Sequence, residues 1–540
     1  MLSIFKRIIL ISSLAVTIFS CTKNFTEKNT NPTVVSTTSP AALFNGILSS
    51  LPVNYYEQMF LYNDMCTLYA QLATLPNQGY VNLDNLKLGA QDIWNRYYNS
   101  MANVRQLQTL LAQWPDQAIV VNQKAMLKVI NAYETFRMTD LFGDMPYSQA
   151  GYAFSTTNRN IYPKYDLQQS VYDSLLADLK WVNDSSTTNA TDPAGNAYLD
   201  FGTPETIVYS AVNGNSNMLM YVKFANALRL RYALRMSAKD PADAKTIIQD
   251  VVGNNEPLPL PGDDFALYPA KIFGWNNDNI NTAFRNDLSG TGLRMGSTIW
   301  AMLSNGGGNN SSNIVDPRTY IFFSNIDSTN QWLPIPQTAV QTPEAGDPYT
   351  DPTKFGTYSP VNLDLVGRSP AHLNPQPFIT AAEVQFLLAE IYARSDLGLQ
   401  NLASAQTAYT LGVQTSINFW YGVAAADAAW IPQPAAVTPA EIATYLASPQ
   451  ALWNAANPLP LIYAQRWLDL FREPWEAYSL ARSTQNMTPG GVLPATSPVF
   501  NWNRIPYPTD EADNNPVNYN AELALLGGTD DITHKVWWMP

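Results

Sequence analysis

The sequence predicts a mainly α-helical protein in which a helical scaffold is interrupted by a long irregular region. Apolar residues recur at helical spacing before residue 252 and again between residues 376 and 483. Residues 253–375 lie between these parts, are rich in Gly, Pro and Asn, and show only short β-like runs such as residues 320–323. Because a compact domain rarely keeps so long a loop region without a purpose, we expect this region to carry the functional site.

Three helices are predicted in the first part of the chain. One apolar stripe comprises Trp94, Tyr97, Met101, Val104 and Leu111. Residues 125–139 continue the helical pattern, and Gly143 is expected to end this helix because glycine tolerates a positive φ. Asp166 is expected to cap the next helix at its N-terminus. The aromatic residues on helical stripes are assigned to the core: Trp94, Tyr97, Trp181 and Trp467.

The later helices carry clearer start and stop signals. Arg229, Arg231 and Arg235 lie on an apolar helix and are expected to anchor neighbouring segments by charge-assisted hydrogen bonds. Thr380 and Glu383 have the spacing of a capping box at the start of another helix. These patterns favour structural roles for the charged residues.

Pro474 separates the last two predicted helices. Residues 461–472 form the first of them, and Pro474 ends it because proline lacks the backbone donor. The same proline can occupy the first position of a short helix over residues 475–482. Residues 484–540 lack the helical pattern and are expected to be irregular.

Composition and charge exclude several classes of protein. The 540 residues carry a formal charge of −13, which argues against a nucleic-acid partner. Two cysteines and two histidines rule out a disulfide framework and a histidine-rich metal site. Only 14% of the residues are charged, which is low for a soluble protein. By contrast, 49 of the 540 residues are Asn. The polar surface is therefore expected to be neutral and rich in hydrogen-bonding amides.

The N-terminus has the anatomy of a secretory signal. Lys6 and Arg7 precede an apolar run over residues 8–19, which is too short to span a bilayer. Ser20 and Cys21 follow in a context that resembles a bacterial lipobox, so Cys21 is the expected lipidation site. The alternative is an ordinary signal peptide followed by an incidental cysteine.

Six motifs point to one family. In chain order they are Asp140–Tyr147 (DLFGDMPY), Lys223–Arg231 (KFANALRLR), Asp316–Arg318 (DPR), Thr380–Glu390 (TAAEVQFLLAE), Arg504–Pro508 (RIPYP) and Trp537–Trp538. Together with the lipoprotein signal, they resemble the SusD/RagB family of nutrient-binding outer-membrane lipoproteins, and most closely its SusD-like variant branch. A small departure is Glu473-Pro474, where many members have Asn-Gly or a similar pair.

The resemblance implies a fold, a location and a function. The fold would be a superhelix of tetratricopeptide-like helix pairs with a large, loop-rich insertion. The protein would be anchored to the outer membrane through Cys21, facing the cell exterior, and would dock onto a SusC/RagA-like TonB-dependent transporter. It would bind oligosaccharides without catalysing a reaction and without a cofactor. A peptide nutrient is the alternative ligand.

These inferences give an expected domain organisation. Residues 1–20 form the signal peptide, residues 21–40 a flexible tether, and residues 41–540 a single domain. Within that domain, we expect the helical scaffold over residues 41–252 and 376–483. The ligand region would cover residues 253–375, and residues 484–540 would follow as an irregular segment.

Candidate ligand-binding residues pair an aromatic ring with an amide or carboxylate in an irregular segment. Sugars present apolar C–H faces and a rim of hydroxyls, so their sites combine these groups. The candidates are Tyr80, Asn82, Trp275, Asn276, Asn277, Asp278, Trp332 and Tyr349. Each has a structural alternative, since a loop tryptophan such as Trp332 often fills a crevice.

Two other functions compete with nutrient binding. A surface glycoside hydrolase would need two carboxylates held at a suitable separation, and Asp263 and Asp264 are such a pair, yet they also fit an ordinary Pro-Gly-Asp-Asp turn. A structural or adhesin lipoprotein would use its aromatic residues at a protein interface. Loss of ligand affinity on Trp275→Ala or Trp332→Ala, with an unchanged melting temperature, would separate binding from that structural role.

Overall fold

The computed structural model confirms a mainly helical fold. The residues that it describes are 38–75, 83–202, 217–268, 292–326, 331–335, 358–366, 372–373, 375–484 and 502–540. Cys21 and most of the predicted signal and tether therefore lie outside the described residues. Within the described part of the chain, no helix combines the length and the apolar character needed to cross a membrane.

Helices account for most of the described scaffold. They are α1 Pro40–Leu48, α2 Leu68–Ala70, α3 Leu83–Ala112, α4 Val121–Phe142, α5 Gln168–Ser185, α6 Asn217–Met236, α7 Pro241–Ile248, α8 Ser297–Leu303, α9 Thr319–Phe322, α10 Ala381–Ala393, α11 Leu402–Ala426, α12 Pro439–Leu446, α13 Leu459–Asp469, α14 Pro474–Ser483, α15 Asp510–Asn514 and α16 Pro516–Leu525. Residues Glu57–Thr67 and Gln249–Gly253 form π-helical turns, and Ser311–Asn313 and Leu470–Arg472 form 3₁₀ turns.

Strands are few and short. β1 Met145–Pro146 pairs antiparallel with β2 Tyr165–Asp166. β3 Phe265–Leu267 pairs antiparallel with β4 Gln376–Ile379, so that Phe265 lies opposite Ile379. The second pair joins the two ends of the irregular region, and the scaffold therefore continues directly from one side of this region to the other.

Neighbouring helices pack in pairs along the chain. α4 packs against α5, α5 against α6, and α10 lies along α11 after a short connection over residues 394–401. The short connection between α10 and α11 makes these two long helices antiparallel neighbours, which is the arrangement of a helix-pair repeat. In the α10–α11 pair, a Cβ added to Gly412 would lie 2.6 Å from the ring of Phe386. Only glycine permits this close approach of the two helices.

Most predicted helices are confirmed, with small shifts at their ends. α3 contains the predicted stripe from Trp94 to Leu111, and α4 ends at Gly143, whose φ is +83°. Residues 461–472 divide into α13 and a 3₁₀ turn, and Pro474 begins α14. Trp94, Tyr97 and Trp467 are buried as predicted.

The cap predicted for α5 is wrong. Asp166 does not cap this helix, because its carboxylate accepts hydrogen bonds from the backbone N–H groups of Tyr147 and Ser148 at 2.9 and 2.8 Å. Asp144 caps the helix instead, accepting from the N–H of Gln168 at 2.7 Å. Asp144 takes the role expected of Asp166 because β1 and β2 bring the turn at residues 143–148 next to the start of α5.

The capping box predicted at α10 is half correct. Thr380 accepts a hydrogen bond from the N–H of Glu383 at 2.9 Å, as expected. The side chain of Glu383 does not return to the backbone of Thr380; it is fully buried and accepts from Arg231 Nε at 3.0 Å and Arg466 Nη2 at 2.8 Å. Glu383 therefore belongs to the interior rather than to the cap.

Three buried arginines and three buried acids form what we call the core ion network. Its members are Arg231, Arg235, Arg466, Asp140, Glu383 and Glu476. Arg235 binds both Asp140 and Glu476, and Arg466 Nη2 lies 2.9 Å from Glu476. Burial alone would raise the pKa of Glu476, but the three guanidinium groups together lower it. The prediction that arginines of α6 act as anchors is thereby confirmed.

The end of the chain closes over this network. Trp538 Nε1 donates to Asp140 at 2.7 Å, and Arg482 donates to the backbone carbonyl of Asp140 at 2.9 Å. Asp140 also accepts from Tyr172. These bonds bring together the Asp140 and Trp538 motifs, which are far apart in sequence.

Two further expectations are wrong in detail. Residues 320–323 do not form a strand, because residues up to 322 complete the short helix α9 that follows the Asp316–Arg318 turn. Residues 484–540 are not wholly irregular, since they contain α15 and α16. Pro516 begins α16, where its fixed φ favours a helical start and its missing N–H is not needed.

Removal of Arg231 is expected to destabilise the fold strongly. Arg231→Met leaves Glu383 buried with fewer cations, and breaking one side of a buried ion pair costs about 3–5 kcal/mol. The free energy of unfolding in urea measures this loss. The matched control is Lys87→Met, because Lys87 and Asp84 form an exposed pair at 3.6 Å, which contributes about 1 kcal/mol or less. Equal effects of the two substitutions would contradict this interpretation.

Asp64 is expected to make the fold less stable at high pH. Burial raises its pKa from 3.8 to about 7, so the folded state holds a proton that the unfolded chain releases. The pKa of Asp64 is higher in the folded state than in the unfolded state. Its contribution to the free energy of unfolding is therefore complete below pH 3.8 and is lost as the pH rises through 7.

Asp64→Asn should therefore match the original protein at low pH and exceed its stability at pH 8 by roughly 2–4 kcal/mol. Urea unfolding at several pH values tests this difference. Asp84→Asn, at an exposed position, serves as the control. An effect of Asp64→Asn that does not vary with pH would refute the assignment.

Candidate functional site

A groove of about 840 Å³ lies between two loop segments, and we refer to it as the aromatic groove. One wall comes from residues 311–325 and Trp332, with residues 362–364 beside it, and the other from residues 430–437. The volume lies in the range of small-molecule sites. The described aromatic and polar residues lining it include Tyr320, Tyr421, Trp332, Trp430, Asn325, Asn362, Gln433, Asp364 and Glu441.

The first wall is held by a buried arginine. Arg318 forms an ion pair with Asp316 at 2.7 Å and donates to Gln465 at 2.7 Å and Ser416 at 2.9 Å. Tyr320 follows two residues later on α9, and its backbone carbonyl accepts from Asn362 Nδ2 at 3.2 Å. The anchoring of Arg318 to α11 and α13 therefore sets the position of the exposed Tyr320 ring, which keeps 42% of its accessible surface.

The second wall is held by a buried aspartate. Asp427 accepts from the backbone N–H groups of Ala429 and Leu373 at 2.9 and 3.0 Å, and its carboxylate lies 3.0 Å from His372 Nδ1. The backbone carbonyl of Asp427 accepts from Gln433 Nε2 at 2.7 Å. These bonds fold the segment after α11 back on itself, so that residues 430–437 face α9.

Aromatic rings form the floor and one side of the groove. Trp332 is 3% exposed, lies parallel to Trp300 with 6.5 Å between ring centroids, and donates from Nε1 to Ser311 Oγ at 3.1 Å. Its ring meets Tyr320 edge-on at 5.5 Å. Tyr421 OH donates to the carbonyl of Pro317 at 2.9 Å, which leaves its ring beside α9. Trp332 thus supports the Tyr320 ring from below.

The structure places only one of the predicted ligand residues in this groove. Trp332 lines it, but as a buried support rather than an open platform. Loss of affinity on Trp332→Ala would therefore not separate binding from structure. The other candidates lie outside the described residues: Tyr80, Asn82, Trp275, Asn276, Asn277, Asp278 and Tyr349.

Sequence reasoning missed Tyr320, Tyr421 and Trp430. Tyr320 was expected in a strand, whereas α9 buries Ile321 and Phe322 and leaves Tyr320 outside. The stretch Trp430-Ile-Pro-Gln-Pro434 did carry a usable signal, because an aromatic residue beside two prolines between helices cannot continue either helix. Tyr421 lies on α11 among buried residues, and nothing local in the sequence marks it as a groove residue.

The charges that line the groove are acidic. Among its described lining residues, Asp364 and Glu441 are the charged ones, and none is Lys or Arg. Hydrogen bonds from the backbone N–H and the hydroxyl of Thr438 lower the pKa of Glu441, so this carboxylate is ionised at neutral pH. Burial raises the pKa of Tyr421, and the nearby Asp316, Tyr320 and Glu441 raise it further, so its hydroxyl stays protonated.

Catalytic and metal chemistry find little support in the described residues. No group of three or more His, Cys, Asp or Glu side chains is placed to hold a metal ion there. Asp263 forms an ion pair with Lys223 at 2.6 Å, and Asp264 accepts from the N–H of Ala381 at 2.8 Å. Both members of the acidic pair considered for hydrolysis are therefore engaged in structural bonds.

A second cavity, of about 330 Å³, borders the core ion network. It is lined by Arg231, Arg235, Arg394 and Arg466, but each of these forms at least one ion pair. Arg394 pairs with both Glu390 and Asp396. This cavity therefore offers little net charge to a ligand, and the aromatic groove is the better candidate.

Comparison with known proteins identifies a family and a fold. A family model described as SusD-like, starch-binding and associating with outer membrane matches residues 31–485. No protein among those with curated descriptions matches the chain significantly. Among solved structures, a SusD homologue from Parabacteroides distasonis superposes with a TM-score of 0.71 at 18% identity, covering 93% of this chain and 98% of that one.

Two further solved structures are of proteins described as binding a named ligand. One is described as a chitin-binding protein, with a TM-score of 0.68 at 22% identity, covering 93% of this chain and all of that one. The other is a chitin-binding SusD homologue from Flavobacterium johnsoniae, with a TM-score of 0.66 at 21% identity, covering 92% and 97% of the two chains. At sequence identities this low, the structural similarity establishes the fold alone.

Trp332 and Tyr320 are expected to differ sharply in their effect on stability. Trp332→Ala removes a buried ring and should cost about 3–5 kcal/mol, as large-to-small core substitutions of aromatic residues do. Tyr320→Ala removes a partly exposed ring and should cost about 1 kcal/mol or less. Thermal unfolding followed by circular dichroism compares the two variants. If Tyr320→Ala lowered the melting temperature as much as Trp332→Ala, Tyr320 would be a core residue and not a groove platform.

Proposed function

This chain belongs to the SusD-like family of starch-binding proteins associated with the outer membrane, and from that membership we propose that it captures oligosaccharides in the aromatic groove. The observation that carries the proposal is the exposed Tyr320, whose backbone carbonyl accepts from Asn362 and whose ring packs edge-on against Trp332, at the side of a cavity large enough for a sugar. A fixed aromatic face beside amide groups matches the apolar face and the hydroxyl rim of a sugar ring.

The ligand class follows from the polar groups around the groove. Asn325, Asn362, Gln433, Ser324 and Thr444 are neutral polar residues that line it. Neutral donors and acceptors suit hydroxyl and acetamido groups, and the two solved relatives described as chitin-binding make N-acetylglucosamine oligomers a rational first ligand. Starch oligosaccharides follow from the description of the family.

Delivery to a transporter completes the proposed function. We infer that the lipid-anchored protein faces the cell exterior and passes its ligand to a SusC/RagA-like TonB-dependent transporter, with Cys21 as the anchor. The domain organisation expected from the sequence fits this role, because residues 21–40 would tether a single domain to the membrane. The protein would bind its ligand without turnover, since the described carboxylate pair at Asp263 and Asp264 is engaged in structural bonds.

Glycan binding is expected to depend on Tyr320. Calorimetry of the purified full-length protein in detergent, with starch and chitin oligosaccharides, should give reversible binding, and Tyr320→Ala should weaken it about 10-fold or more, as expected for loss of an aromatic contact. The matched control is Tyr162→Ala, because Tyr162 is also exposed (57%) and lies on another segment.

Three results would contradict this function. They are absence of binding to every glycan, unchanged affinity in Tyr320→Ala, and release of new reducing ends by the pure protein, which would instead indicate a hydrolase.

A further inference from the structure

The rim of the aromatic groove carries a carboxylate without a cationic partner in the described part of the chain. Glu441 lies in the first turn of α12 and is fully exposed. Its hydrogen bonds go to Thr438, where Oε2 accepts from the backbone N–H at 2.7 Å and from the hydroxyl at 2.8 Å. These bonds complete a capping box and fix the direction of the carboxylate without neutralising it.

Glu441 lines the same groove as the rings of Tyr421 and Tyr320. Its charge is one of those that raise the pKa of Tyr421, after burial as the largest cause, and both residues line the same groove. Tyr320 acts on Tyr421 in the same way. One fixed carboxylate and two tyrosine rings therefore line the same groove.

The second carboxylate of the groove is buried and has a partner. Asp364 is 4% exposed, and its Oδ1 lies 3.4 Å from His372 Nε2. It lies at the inner end of the groove, where it helps to join the two walls through His372 and Asp427. Glu441 is thus the lining carboxylate that faces solvent. Lys354 and Arg368, the basic residues that flank Asp364 in the sequence, lie outside the described residues.

We propose that the aromatic groove selects sugars by charge, and that it prefers amino sugars bearing a free ammonium group to neutral sugars and neutral sugars to acidic ones. An ammonium group is attracted both by a carboxylate and by the face of an aromatic ring. A uronic acid or a sulfated sugar would instead bring a second negative charge next to Glu441. This inference rests on the proposed function, because it concerns the ligands of the same groove.

The test compares three oligosaccharides of equal length on the full-length protein in detergent. They are oligomers of glucosamine, of N-acetylglucosamine and of galacturonic acid, titrated by calorimetry at pH 6, where the amine is charged. At low salt, the glucosamine oligomer should bind about 2–5-fold more tightly than the N-acetylated one, in keeping with an exposed ion pair. The galacturonate oligomer should bind least, and 0.5 M salt should remove the differences.

Glu441→Gln and Asp84→Asn separate a local effect from the overall negative charge. Each substitution removes one exposed carboxylate, and glutamine at position 441 retains the acceptor needed for the capping box. In Glu441→Gln, the ratio of glucosamine to N-acetylglucosamine affinity should fall to about 1, and in Asp84→Asn it should not change.

The outcomes distinguish this inference from the proposed function. Binding of the neutral oligomer without any preference for glucosamine, or with equal binding of galacturonate, would overturn charge selection and leave glycan capture standing. A preference that persists in Glu441→Gln would overturn the role of Glu441. If neither the three oligomers nor starch oligosaccharides bound, the proposed function would be overturned, and this inference with it.

Discussion

Six charged side chains with almost no contact with solvent join helices from both parts of the scaffold. Asp140 comes from α4, Arg231 and Arg235 from α6, Glu383 from α10, Arg466 from α13 and Glu476 from α14. Removing such ions from water is costly, and the cost is offset only when every partner is in place. The core ion network therefore requires these five helices to assemble together.

The aromatic groove depends on this arrangement through Arg318, a buried arginine outside the core ion network. Arg318 binds Ser416 on α11 and Gln465 on α13, next to Arg466 of the core ion network. Tyr320 and Trp332 follow in sequence and rest on one another. The groove can thus be built from loops and still be rigid, because each wall begins at a charged group that has been removed from water and fully paired.

Local signals predicted the helices well and their polar partners poorly. The stripe on α3, the stop at Gly143 and the start at Pro474 depend on a few neighbouring residues, and all three are confirmed. The caps failed where a distant segment supplied a better partner, as with Asp144 in place of Asp166 and with Glu383, which is taken up by Arg231 and Arg466.

The groove shows the same limit. Tyr320, Tyr421 and Trp430 meet across about a hundred residues of sequence, so only the tertiary structure could bring them together. Motif spacing identified the family, but no pattern in the sequence distinguished the exposed Tyr320 from the buried Trp332.

The distribution of charge connects the interior to the groove. The chain has 31 basic and 44 acidic residues, and several of its arginines are buried: Arg229, Arg231, Arg235, Arg318, Arg466, Arg482 and Arg504. Each buried arginine is held by carboxylates or carbonyl groups inside the protein, so it offers no positive charge to a ligand. The cations that remain outside are therefore even fewer than the composition suggests. A carboxylate at the surface, such as Glu441, therefore has no cationic partner among the described residues, and water and salt screen its field.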